Sequence, residues 1–203
     1  AIRLAKELKL KAAISGAAEA WKVADEIKAS GLPVLIAGTM NVPHRDYDPY
    51  DAAYANPARL HAAGVPFAIR SAPGASSPRN SRLLPFEAAM AVAFGLPEEE
   101  ALKAVTIHPA RFLGVEDRLG SLEPGKKANV VVTAGHILQP TTRVALLFID
   151  GKPVEPRSRH TELYEKYGRR LDEVKAGLAP LGLEGPRDRA TAAVEVPAPA
   201  PAP

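Results

Sequence analysis

The chain has no cysteine among its 203 residues. Disulfides and thiolate metal sites are therefore both excluded. Aromatics are only 5%, and no apolar run approaches the roughly 20 residues that a membrane-spanning helix needs. Neither sign of charge dominates: 26 basic against 23 acidic residues leave a formal net charge of +3. Nucleic-acid binders gather Lys and Arg on one face, often beside exposed aromatics. No such cluster occurs, so neither a nucleic acid nor a membrane is an expected partner. No serine sits in a G-x-S-x-G context, which argues against a serine hydrolase.

What is present is ample material for a core, with 46% apolar residues. The ending "TAAVEVPAPAPAP" has few side chains to bury and few amide donors, and it reads as a disordered tail over 185–203. About 185 residues remain for one domain or one and a half. The chain opens on "AIRLAKELKLK", already helical in pattern and without Met. The expectation is a soluble, N-terminally truncated piece whose compartment the sequence does not assign.

Helical spacing over 1–9 is followed by "KAAIS" (11–15), a short strand. Ala20, Val23, Ala24 and Ile27 form one apolar helix face, and Gly31 supplies the left-handed stop. "LPVLIAG" (32–38) reads as a buried strand. The polar stretch after it holds two expected helix starts, Asp48-Pro49 and Asn56-Pro57, each a capping side chain before a proline. "VPFAIRS" (65–71) is a third apolar strand, followed by a Gly/Ser/Pro loop over 72–82. "PFEAAMAVAFG", "PEEEALKAVTI" and "HPARFLG" then read as three helices. Alternating strands and helices predict a parallel sheet with right-handed crossovers.

From about residue 115 the pattern becomes β-rich. Asp150-Gly151 between "LLFI" and "KPV" predicts a tight hairpin. A closing helix over about 160–176 carries Leu163, Tyr167, Leu171 and Val174 on one face. Its expected i,i+4 pairs are Glu162–Lys166 and Glu165–Arg169. The domain reading is 1–114 for the βα units, 115–158 for β strands, 159–184 for the helix and connection, and 185–203 for the tail.

The stretch "EEEALKAVTIHPARFLGVEDRLGSLEPGKKANVVV" resembles the C-terminal signature of the amidohydrolase superfamily, in particular its imidazolonepropionase-like branch. The matching residues are Ala104, Thr106, Pro109, Ala110, Leu113, Gly114, Gly120, Ser121, Leu122, Pro124, Gly125, Lys126 and Ala128, and Asn129 stands where Asp is usual. Physically these residues are punctuation: Gly114 caps a helix, Pro124-Gly125 fits a type II turn, and Ala110 permits close packing. The resemblance implies an α/β fold: the C-terminal portion of a TIM-type (β/α)8 barrel plus part of a small β-sandwich domain. It also implies a hydrolase of non-peptide C–N bonds, commonly in cyclic amides, with zinc or a similar divalent ion as cofactor. The expected partners are then a small-molecule substrate or ligand and the missing N-terminal half of the same protein.

The resemblance also says where ligands should fall. "KAAISG" takes the place of the sixth barrel strand, "PVLIAG" the seventh and "PFAIRSA" the eighth. The sixth-strand histidine would fall at Gly16, or at Ser15 in the neighbouring register, and the eighth-strand aspartate at Ala72. None of these is a usual zinc ligand, and no Asp or Glu lies between Arg70 and Arg82. This chain thus offers no metal residue in the expected positions.

The remaining candidates come from the residues themselves. His44 and Asp46 follow the second strand and could act as ligands or as acid and base. Arg70 and Ser71 end the third strand, where barrel enzymes bind substrates. Arg79 and Asn80 lie in the loop beyond and could act as donors. His61, His108, His136 and His160 read as structural or surface residues. Two functions stay open: the metal-dependent hydrolase implied by the resemblance, and a non-catalytic barrel acting as a binding or scaffold protein. A third reading is an independent small α/β domain. It would leave unpaired strand edges, so the isolated chain is expected to be aggregation-prone.

Overall fold

The structure, a computed structural model, describes residues 1–71 and 80–178. Ala72, Arg79 and the 185–203 tail, on which the sequence places expectations, lie outside the described residues. The chain divides into two units, Ala1–Pro156 and Arg157–Pro203.

Three short strands in the first unit run parallel: β1 (Ile14–Gly16), β2 (Val34–Ala37) and β3 (Phe67–Arg70), in that spatial order. Leu35 pairs with Ser15 on one side and with Ala68 on the other, and Ala37 pairs with Arg70. Parallel strands need crossovers, and helices supply them. Helix α1 (Ile2–Glu7) precedes β1, α2 (Ala24–Ser30) joins β1 to β2, and α3 (Ala52–Ala63) joins β2 to β3. After β3 come α4 (Leu84–Ala93), α5 (Glu98–Val105) and α6 (Ile107–Phe112).

The core lies between sheet and helices. Val34, Ile36, Phe67 and Ile69 pack with Ile27, Leu60, Ala88, Ala91, Ala101 and Ala104. Side chains alternate along a strand, so Leu35, Ala37, Ala68 and Arg70 take the opposite face. The small helix residues let helices approach the sheet closely. Gly31 and Gly64 end α2 and α3 in the left-handed conformation, at φ 68° and 73°. The sequence predicts the first of these stops.

Two local expectations need correction. The first strand begins at Ile14 rather than Lys11. Asp48-Pro49 and Asn56-Pro57 do not start two helices. One helix, α3, runs from Ala52 to Ala63 with Pro57 inside it, and Asp51 precedes it. The reason is a long-range bond that local capping rules do not see. Asn56 is buried at 1% exposure, its Nδ2 donates to the Ala17 carbonyl at 3.0 Å, and its Oδ1 accepts from Trp21 N–H at 3.2 Å. It ties the segment after β1 to α3 instead of capping a helix.

The β-rich part forms a second, antiparallel sheet of β4 (Val130–Thr133), β5 (Val144–Ile149) and β6 (Lys152–Val154). Asp150 and Gly151 both have positive φ, 50° and 76°, as the predicted tight hairpin requires. Asn129 accepts Asp150 N–H at 2.9 Å through Oδ1, a role that needs only a side-chain oxygen. Leu138, in the β4–β5 connection, is buried in the main core.

In the second unit, α7 (Arg159–Lys175) opens with a reciprocal cap. Thr161 N–H donates to Ser158 Oγ at 3.3 Å, and Ser158 N–H donates to Thr161 Oγ1 at 2.9 Å. The expected Glu165–Arg169 ion pair does not form: Glu165 meets Arg157 at 3.0 Å, and Arg169 Nε donates to the Glu165 main-chain carbonyl. No Glu162–Lys166 bridge closes among the described residues. These charges are exposed, and such pairs contribute little.

Asn56→Ala should strand the Ala17 carbonyl and the Trp21 amide, and lower stability by about 3 kcal/mol. Urea denaturation of the full-length protein reads this directly. An unchanged midpoint would mean that the segment after β1 is held by other contacts.

Candidate functional site

In a parallel sheet covered by crossover helices, ligand sites form where strands end and loops begin. Three segments meet that description: 17–23 after β1, 38–51 after β2, and the chain leaving Arg70. Side chains distant in sequence tie the first two in place.

The tightest tie is Glu87, on α4 and only 4% exposed. Thr39, fully buried, hydrogen-bonds through Oγ1 to the Glu87 carboxyl and donates to the Glu87 main-chain carbonyl at 2.7 Å. Met40 N–H donates to Glu87 Oε2 at 3.2 Å. The start of the 38–51 loop is thus fastened to the helix that follows β3. The sequence carries one signal for this: Glu87 is the only charged residue between Arg82 and Glu98.

A second tie joins the two loops. Lys22 Nζ lies 2.6 Å from Glu19 Oε1 and 2.6 Å from Asp48 Oδ1, and the Asp48 side chain is only 4% exposed. Arg45 approaches Glu19 at 3.7 Å. The Lys22 hydrogen bond holds the Glu19 carboxyl below its ordinary value, while the bonds to Asp48 and then Glu19 hold the Lys22 ammonium above its own. The Arg59 guanidinium lies 4.6 Å from the Trp21 ring centroid and also meets Asp51 at 3.3 Å. Sequence reasoning missed this network because its members are ordinary surface residue types.

His44 and Asp46 sit exposed on the 38–51 loop. His44 borders a cavity of about 580 Å³ that Ile2, Ile14, Ala17, Glu19 and Ile27 also line. Ser15 shares the Leu35–Ala68 row of the sheet, and so the face of Arg70, whereas Gly16 pairs with Ile36 on the helix side. Arg70 is half-buried at the end of β3. Its Nη1 donates to the Ser71 carbonyl at 3.2 Å, and its Nε is buried without a partner. Asn80 precedes a 3₁₀ turn at Ser81–Leu83. The other histidines are used structurally: His108 Nδ1 lies 3.0 Å from the Phe67 carbonyl, and His136 Nδ1 lies 2.8 Å from Glu98. Among the described residues no three His, Asp or Glu side chains are grouped to hold a metal ion. The described residues therefore do not by themselves fit the zinc-type ion that the sequence resemblance implies.

The Lys22 network has a defined pH window. Glu19, lowered in the folded state, stabilises above its ordinary value and loses that contribution as pH falls through the lowered one. Lys22, raised, stabilises below its ordinary value and loses that contribution as pH rises through the raised one. Lys22→Met should speed amide exchange in both 17–23 and 41–51 at neutral pH and leave β2 unchanged. The ratio of variant to parent rates should shrink in acid as Glu19 protonates. A ratio near one at neutral pH would show that the bridge fastens neither loop.

Comparison with known proteins agrees with this architecture. The model of the amidohydrolase family matches residues 52–154. An imidazolonepropionase of Rhizorhabdus wittichii is 43% identical over 75 residues, 36% of this chain and 18% of that protein. A putative N-acetylgalactosamine-6-phosphate deacetylase of Escherichia coli K12 is 54% identical over 37 residues, 18% of this chain and 22% of that protein. The crystal structure of an amidohydrolase from Thermotoga maritima superposes with a TM-score of 0.65 at 31% identity, covering 77% of this chain and 40% of that one. The chain thus spans well under half the length of the relatives it matches. It has the α/β amidohydrolase fold, and it belongs to the amidohydrolase family.

Proposed function

We propose that this chain is the C-terminal portion of a (β/α)8 hydrolase of non-peptide C–N bonds, cyclic amides among them. The observation that supports this most is the two-faced parallel sheet. One face packs against helices, while the alternation along the strands turns Leu35, Ala37, Ala68 and Arg70 to the other. In a closed barrel that face is the interior, and its strand ends carry the substrate. The antiparallel β4–β5–β6 sheet is proposed as part of the accompanying sandwich. Val131, Val132, Leu146 and Ile149 are exposed on it, as strands awaiting a second layer would be.

His44 and Asp46 on the 38–51 loop, Arg70 and Ser71 at the end of β3, and Arg79 and Asn80 further along the sequence are the candidates for substrate contact. This chain's own contribution is binding and orientation. The loops are pre-set by Glu87 and Lys22, and a cation stands at the end of β3. Any metal site would draw on ligands from the N-terminal half of the protein. The glycine and alanine at the expected ligand positions favour a second reading, a barrel that binds without catalysis.

Elemental mass spectrometry of the full-length protein, before and after chelation, separates the two. Under the hydrolase reading, about one tightly held zinc-type ion per chain is expected. Removing it should abolish cyclic-amide hydrolysis. Well-folded protein with no metal above background would overturn that reading in favour of the binding one.

A further inference from the structure

Arg70 is the only charged residue in the three parallel strands. Its guanidinium is poorly satisfied. Nη1 donates to the carbonyl of the next residue, Nε–H is buried with no partner, and no carboxylate lies within ion-pair distance among the described residues. A buried charge without a counter-charge is costly, and such a group is retained where something else supplies the negative partner. The vacant edge is Nε–Nη2, the side-on fork whose spacing matches two oxygens of a carboxylate or phosphate. Its neighbours on the same face, Ala37 opposite and Ala68 two residues back, carry only methyl groups, so the sheet itself offers that edge no counter-charge.

We propose that Arg70 is the anion-binding residue of this site, taking a carboxylate or phosphate group of the ligand side-on through Nε and Nη2. The placement rests on the reading above, that the strand ends face the ligand. It does not require that the ligand be hydrolysed. Arginine rather than lysine fits because the interaction is planar and two-pronged, and because the guanidinium stays charged when half-buried. The ligand is then a small molecule bearing an oxyanion, held at the end of β3.

The test is a titration of the full-length protein labelled with ¹⁵N-arginine, following side-chain Nε–H signals by NMR. Glutarate and inorganic phosphate are the two probes. Arg70→Lys identifies the Arg70 signal by its disappearance and keeps the charge without the fork. One assigned signal should move saturably with at least one probe. Glutarate alone points to a carboxylate ligand, and phosphate alone to a phosphate ester. Arg70→Lys should weaken that binding about tenfold or more, and Arg70→Gln should abolish it. An Arg70 signal that neither probe moves would overturn the proposal, because the fork would already be filled by a carboxylate from elsewhere in the protein. So would equal probe affinity in Arg70→Lys. Anion binding through Arg70 in a protein that hydrolyses no C–N substrate would sink the hydrolase reading alone. Hydrolysis of oxyanionic substrates with unchanged KM in Arg70→Lys would sink this proposal alone.

Discussion

The geometry of the strand ends depends on one buried carboxyl group, that of Glu87. It sits in the first turns of α4, among apolar residues that pack on the sheet, and it reaches across to Thr39 and Met40 just beyond β2. A polar group this deep is tolerable only when its hydrogen bonds are made, and each buried group left unmade costs about 1–3 kcal/mol. The bonds made here are long-range, over 47 and 48 residues of sequence. They therefore fix the relative position of the β2 loop and the helix after β3, which packing of alanines alone would leave free to slide. The Asn56 bonds do the same for the β1 segment and α3, and the Lys22 bridge links the two loops to each other. Apolar burial assembles the helical face, and a few polar ties set the rim.

This division explains how much of the molecule could be read in the sequence. The helix stop at Gly31 and the Asp150-Gly151 hairpin are local devices, and local reading finds them. Asn56-Pro57 misleads for the same reason. Its sequence is that of a helix start, but burial against Ala17 and Trp21 makes a tertiary bond worth more than a cap. The ties through Glu87 and Lys22 join residues that no local window contains. Of the candidate site, the sequence located the segments and named Arg70. It could not show that Nε of Arg70 lacks a partner, because that depends on what the fold brings near.

The family signature is legible for yet another reason: it records packing rather than chemistry. Gly120 has φ +97°, and a methyl group there would stand 2.8 Å from Ala110 Cβ and 2.9 Å from Ile107 Cα. Gly120 and Ala110 are thus two halves of one close approach between α6 and the chain leaving it, and each constrains the other. Gly125 at φ 90° closes the turn in which Lys126 N–H donates to the Glu123 carbonyl at 3.2 Å. Asn129 supplies to Asp150 N–H the same acceptor that an aspartate would, so its departure from the usual residue leaves the hairpin intact. Residues of this kind resist change whatever a barrel binds, since they serve the backbone. Strand-end residues answer to the ligand instead. A chain can therefore keep nearly all of the signature while a glycine ends β1 and an arginine ends β3. Family membership and the chemistry of the site are separate inferences here, the first resting on glycines and the second on a guanidinium.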